Sequence, residues 1–471
     1  MCIEIKNVYI KIQYIETKYG RKRRKRTLNK KETEMSREIK TNKKLTRRAY
    51  SNQKGITLIA LVIIMAVVLL ILVGVTIFVI FSNGEKNNKV QGNRLNENIG
   101  ENDKNLTIVS TKDTAPYYPD YTFTKVEGTD LSSGLVIKDA SGNEYVWIEV
   151  PRSLYNNKTY NTETSTADKK PSSSTDYDKI EYCLKKYANY YREETEFIEP
   201  DEYSDTYCSD EATGLTQKQY YTLKQKMLKS VYENGGFWIG RYEAGIEISR
   251  TQAGKATAVP LSKAGTADTS TYPYTYVTCS QAQTLVAQLA IGKSYTSSLM
   301  FGIQWDLVLK HIEVKEVEKG VELETIQDAL TSDSKEWGNY CDASFEINRG
   351  EYRGDYALNL KLNMWHNYNS ESAPVIHVNG KIMKVVTDSN SSKDRILLTT
   401  GASEACKKLN IYDLAGNVAE WTLENNSDPY FDCTSRGGDF EWPGIYAASY
   451  RNDEEADSAC ENIGFRASIY K

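Results

Sequence analysis

Apolar and polar positions follow three different patterns along this chain. Residues 56–81, ITLIALVIIMAVVLLILVGVTIFVIF, run for 26 positions without a charged side chain. A helix rising about 1.5 Å per residue spans the roughly 30 Å of a bilayer core within that length. The stretch therefore predicts one transmembrane helix. The apolar region of a cleaved secretory signal is much shorter, and no A-x-A-like site follows here. Beyond it, SGLVIKD (133–139) and EYVWIEV (144–150) read as two strands joined by the turn ASGN. The stretch 216–236 sets Tyr220, Leu223, Met227 and Val231 near helical spacing, with Thr216 placed to cap the start and Gly235 to end it. FWIGRYEAG (237–245) reads as a strand or strand pair, and SQAQTLVAQLA (280–290) and FGIQWDLVLKHI (301–312) as helices. Residues 82–125 read as a polar spacer, and 152–215 as a polar, tyrosine-containing insertion on the surface. From about 335 onward the chain is loop-rich, and no repeat period is present.

Charge sharpens this division. Residues 1–55 hold 18 Lys and Arg against 5 Asp and Glu, a net of +13, while the remainder of the chain carries −17. The run RKRRKR lies upstream of the apolar segment, so it reads as a cytoplasmic leader obeying the positive-inside bias rather than as a nucleic-acid site. The acidic remainder is then exported. Seven cysteines follow the leader (183, 208, 279, 341, 406, 433, 460). An exported location permits disulfides, and the odd number leaves at least one thiol free or paired with another chain. No CxxC spacing occurs.

The junction KGITLIALVII resembles the processing segment of type IV prepilin-like proteins, with Lys54 and Gly55 before the cut and Ile56 as the new N-terminus. The fifth mature position is Ala60, where that family often carries Glu, a departure that bears on filament assembly. Met35 is an alternative start giving a leader of ordinary length. The resemblance implies prepilin peptidase and pilin subunits as partners, and a bacterial cell membrane as the location.

Four later stretches, FWIGRYEAG, IYDLAGNVAEWTLE, SRGGDF and NIGFRASIY, occur in an order that resembles the formylglycine-generating enzyme, or sulfatase-modifying factor, domain. EYVWIEVP suits its first strands. The resemblance covers residues 126–471, interrupted by the 152–215 insertion. It implies an α+β fold of the C-type-lectin-like kind.

Glu420 beside Trp421 would be an awkward buried acid unless paired or metal-bound. In the resembled family this motif holds structural calcium. The matching positions here are the side chains of Asp413 and Glu420 and the carbonyls of Gly416 and Val418. Hard oxygen donors on a loop are what Ca²⁺ prefers; the plain alternative is a salt-bridged or solvated Glu420. Arg436 and Arg466 read as structural, pairing with core carboxylates or carbonyls.

Enzymes of the family bind copper through two cysteines shortly after the GG pair. The matching positions here are Trp442 and Ala447, neither of which ligates copper. An iron-dependent branch uses three histidines in an added helical domain that is lacking here. No GxSxG, Walker A or GxGxxG motif is present. What the sequence offers is an aromatic, hydrogen-bonding surface: Trp442, Ile445, Tyr446, Tyr450, Arg451, Asn452 and Asp453 are the candidate ligand contacts. Core burial of Trp442 and Tyr446 is the bland alternative.

Noncatalytic lectin-fold domains of this type serve as variable proteins of diversity-generating retroelements, and residues 438–463 have the residue types of such a variable segment. The implied function is binding of a protein or glycan by a surface-anchored domain. Alternatives are a copper or iron oxidoreductase of the same family, and a structural minor pilin.

Overall fold

The strand Glu144–Glu149 buries Tyr145, Val146, Trp147 and Ile148 in succession, as a strand covered on both faces must. It pairs antiparallel with Val136–Lys138, in the register Val136 to Val146, across the turn expected at ASGN. Asp139 closes that turn by accepting from the backbone and side-chain amides of Asn143. On its other edge it pairs with Gly236–Gly240, which pairs in turn with the C-terminal strand Ser468–Tyr470. The short strands Thr124–Lys125 and Thr296–Ser298 complete a six-stranded sheet. The computed structural model describes residues 107–471 except 161–175, 193–202, 205–208, 267–268, 355–363, 372–373, 388–393 and 427–430. The leader, the apolar segment 56–81 and the Gly55–Ile56 junction lie outside the described residues. Among the described residues, no helix is long and apolar enough to cross a membrane.

The predicted helices form where their caps place them. Gln217–Asn234 starts at a capping box between Thr216 and Gln219 and ends at Gly235, whose φ of 70° suits glycine. Cys279–Ala287 starts at a second capping box, Thr278 with Gln281. Gly302–Glu318 runs a turn and a half beyond the stretch 301–312, because Glu313 and Lys315 are themselves buried. A second sheet holds the strands Arg451–Glu454, Cys433–Arg436, Ala419–Asn426 and Ile463–Phe465 in that order, the last pair being parallel. Helices and mainly antiparallel sheets make the fold α+β.

Two expected boundaries are corrected. Residues 107–125 are not a spacer: Tyr117 and Phe123 are buried in the core. The reason is polar as well as apolar. The indole N–H groups of Trp147 and Trp238, packed edge to face at 4.9 Å, donate to Thr114 Oγ1 and the Tyr117 carbonyl. Nor is 152–215 a surface insertion throughout. Leu154, Tyr155, Ile180, Cys183, Leu184 and Tyr191 are buried, and Arg192 reaches the core. No disulfide joins the six described cysteines to one another. Cys433 lies against Cys279, and that contact together with burial pushes its pKa up, while Cys460 is exposed.

His311 shows how the core holds a titratable group neutral. Its Nδ1 accepts from the Glu149 amide at 3.3 Å. Burial, then Lys315 and Lys319, push its pKa down to about 3. A depressed pKa adds stability above the unfolded value of 6.5, and that stability is lost as pH falls toward 3. His311→Gln keeps the acceptor but cannot titrate. The stability gap between wild type and this variant should move against wild type by about 1.4 kcal/mol per pH unit between pH 6 and 4. Denaturant titrations of both proteins at each pH test this, and a constant gap would show that His311 is already charged in the fold.

Candidate functional site

The site begins with the two glycines after Arg436. Gly437 and Gly438 have φ of 95° and 69°. A Cβ on Gly438 would lie 2.2 Å from the Tyr446 carbonyl oxygen. Only glycine lets the chain double back here, so that residues 439–450 fold as a loop between the paired strands Cys433–Arg436 and Arg451–Glu454.

The two ends of that loop are held from below. Arg436 and Arg451 sit directly opposite each other across the strand pair. Like charges in that position repel, and two buried carboxylates separate them. Arg436 donates to Glu424 and Asp306, both at 2.9 Å. Arg451 donates to Glu424 at 3.0 Å, to both oxygens of Asp306 at 2.8 and 3.0 Å, and to the Tyr191 carbonyl. Arg192 adds a third guanidinium on Asp306 at 2.8 Å. Burial alone would lower the Arg451 pKa, but Asp306 and Glu424 outweigh it and raise it. Arg451 is therefore not a ligand contact as expected: at 4% exposure it is a core ion. Arg436 takes the structural role read for it.

Above this network lies a cavity of about 280 Å³. Trp442, Tyr446 and Tyr450 form its wall, with Trp442 and Tyr446 rings 5.3 Å apart at 58° and Tyr446 and Tyr450 rings 4.8 Å apart at 85°. Asp439, Asn452 and Asn462 supply its polar groups. Asp439 is 5% exposed and accepts from the Glu441 amide at 2.8 Å and Asn462 Nδ2 at 2.9 Å. Burial pushes its pKa up to about 6 against those two bonds. Of the predicted contacts, Trp442, Tyr446, Tyr450 and Asn452 come together here. Trp442 is 48% exposed, which removes the core alternative for it. Ile445 and Asp453 are exposed but do not line this cavity. Asp439 and Asn462 escaped the sequence reading. Asp439 directly follows the glycine pair, a usable signal, whereas Asn462 arrives only through the parallel pairing of Ile463–Phe465 with Ala419–Asn426.

The loop 413–418 forms a second polar centre. Asp413, Gly416 and Asn417 all have positive φ, a conformation that Asp, Gly and Asn tolerate. Both Glu420 oxygens accept from Arg466, which also donates to the carbonyls of Gly240 and Tyr412. Asp413 Oδ2 accepts from the Gly401 amide at 2.7 Å, while its buried Oδ1 has no hydrogen-bond partner. Glu243, which the sequence reading passed over within RYEAG, accepts from Asn417 through one oxygen and leaves Oε2 buried without a hydrogen-bond partner. Burial, then Asp413 and Glu420, raise the Glu243 pKa; burial likewise raises those of Asp413 and Glu420. Three carboxylates thus share one guanidinium. The free oxygens of Asp413 and Glu243 are the atoms available to a hard cation, whereas Glu420 is already engaged. Among the described residues, no group of three or more His, Cys, Asp or Glu has metal-holding spacing.

No family model matches this chain, and no curated protein matches it. A solved structure described as "Structure of PvdO from Pseudomonas aeruginosa" is similar over 50% of this chain and 82% of that one, at 15% identity and a TM-score of 0.23. A score that low carries no argument about the fold.

Removing one partner from a buried ion network strands the others. Arg451→Ala should therefore cost about 3–5 kcal/mol of stability, whereas Trp442→Ala, at the cavity mouth, should cost under about 1 kcal/mol. Chemical denaturation of the two variants measures both. Equal losses would overturn the division between support and surface.

Proposed function

We propose that this chain is a membrane-anchored ligand-binding protein of the bacterial cell surface. The observation that carries the reading is the aromatic cavity between the glycine pair and Arg451, open at Trp442 and built on a rigid buried base. Its exported part is a noncatalytic domain of the sulfatase-modifying-factor, C-type-lectin-like type. The residue order of the four motif stretches supports that assignment, as does the arrangement of RGGDF and NIGFR on neighbouring sides of one strand. At the two positions where enzymes of that family carry copper-binding cysteines, this chain has Trp442 and the buried Ala447. The uncharged run 56–81 and the charge asymmetry around it support a single pass with the acidic portion outside. The junction at Gly55 and Ile56 is read as a prepilin-like processing site. The ligand is a protein or glycan met outside the cell, not a nucleic acid.

Calcium, the ion implied by the resemblance, would be held by Asp413 with the carbonyls of Gly416 and Val418. Glu420 joins that set only by releasing Arg466.

Full-length protein in detergent should retain no copper and should not oxidise a cysteine-containing peptide with O₂. Copper with turnover would overturn the binding reading and point to one of the remaining cysteines. On the same protein, saturating calcium should raise the melting temperature by about 5 °C or more over a chelator-treated sample. Asp413→Asn should melt no lower than chelator-treated wild type, since it relieves carboxylate repulsion, and should ignore calcium. A calcium response that survives this substitution would place the ion elsewhere.

A further inference from the structure

Asp439 gives the cavity lining a negative group, and no Lys or Arg stands among the lining residues. Asn462 turns its amide nitrogen to Asp439, and Asn452 turns its amide nitrogen to Glu454 at 2.6 Å. Ser435 likewise donates to Glu454 at 3.1 Å. One amide N–H of each asparagine is thus engaged by a carboxylate, and both amides have a carbonyl oxygen left to accept. Asp439 lies on the lining, nearly buried, and its two hydrogen bonds come from uncharged N–H groups. Among the described residues no ion pair reaches it, although its side chain is a carboxylate facing a water-accessible cavity. Three aromatic residues line the same space, their rings set at steep angles around Tyr446.

A carboxylate, carbonyl oxygens and angled aromatic rings all favour a cation, and an anion would meet the wrong field. Aromatic rings attract an ammonium through their quadrupoles, and desolvated quaternary ammonium groups gain most. A cavity of about 280 Å³ lies at the small end of ligand pockets. It suits the head of a molecule or the tip of a side chain rather than a whole cofactor. We propose that this cavity is a receptor for an alkylammonium group, packed against Trp442, Tyr446 and Tyr450 with Asp439 as its counter-charge. The proposal rests on the reading of this face as ligand-binding and specifies its chemistry.

The group can reach the cavity on a small quaternary amine or on a lysine side chain of a partner protein. Calorimetric titration of the full-length protein with tetramethylammonium and with N-acetyl-lysine methylamide separates the two sources: the tighter binder assigns it. Neopentyl alcohol serves as the neutral probe of similar shape, and acetate as the anionic one. Saturable binding of at least one ammonium is expected, with none for the alcohol or acetate. Asp439→Asn and Trp442→Ala should each weaken it at least tenfold. Because Asp439 titrates near 6, affinity should hold above that pH and fall up to tenfold per unit below it. Burial is the main cause of this value, Glu454 and Arg395 are the charged groups that also act on it, and Cys341 and Tyr340 are further titratable neighbours. Their own titration does not produce the same profile in Asp439→Asn, which should lose the pH dependence.

Equal binding of the alcohol, or binding of acetate, overturns the assignment of charge. Ammonium binding indifferent to both substitutions overturns the assignment of site. Screening protein and glycan arrays separates this proposal from the broader one. A ligand lost in Trp442→Ala but not competed by either ammonium leaves the binding face standing and removes the cation; silence in every assay removes both.

Discussion

Two carboxylates shared among three guanidiniums hold the C-terminal part of this protein in place. Asp306 comes from the long helix Gly302–Glu318, Glu424 from the central strand Ala419–Asn426, and Arg436 and Arg451 from the strands flanking the cavity loop. Arg192 joins them from the far side. The group is buried, so each bond compensates a desolvated ion. Because Arg436 and Arg451 bracket residues 437–450, this network fixes where the loop leaves the sheet and where it returns. The aromatic wall inherits its geometry from the ions that hold the ends of its loop.

A second buried centre is richer in acids than in bases among the described residues. Around Arg466 stand Glu420, Asp413 and Glu243, three acids for one base. Their pKa values rise with burial, and protons or a cation are the ways such a site reaches neutrality. The strand Ala419–Asn426 carries Glu420 to this centre and Glu424 to the other, so its alternate residues tie both together. Asp439 near the cavity is a milder instance of the same physics: a carboxylate with neutral donors and no ionic partner among the described residues. The buried charge of the protein is therefore unevenly distributed, settled below the loop and unsettled at the cavity and the 413–420 turn.

Local signals in the sequence were dependable wherever one interaction of short range decided the outcome. Thr216 with Gln219 and Thr278 with Gln281 fix their helix starts because a capping box lies within four residues. The ASGN turn and the positive φ of Gly437 and Gly438 follow from the same kind of reason. Trp442, Tyr446, Tyr450 and Asn452 were legible as a surface because they cluster within fourteen residues of a glycine pair. Arg451 misled, since an arginine in such a cluster reads as a contact until its partners are known. Those partners, Asp306, Glu424 and the Tyr191 carbonyl, lie up to 260 residues away. Residues 107–125 and 152–215 misled for a related reason. Their polar composition hides a few side chains that the core needs, such as Thr114 for an indole N–H and Tyr191 for Glu313.

By itself the sequence determined the uncharged run and its basic flank, the helix caps, the α+β alternation and the residue types gathered after the glycine pair. Each of these is set by neighbours along the chain. Which of those residues face the cavity and which carry the core was decided only in three dimensions. Asp439 meets Asn462, and Arg436 meets Arg451 across shared carboxylates, because distant strands pair. A buried charge is stable only where such pairing delivers its counter-charge.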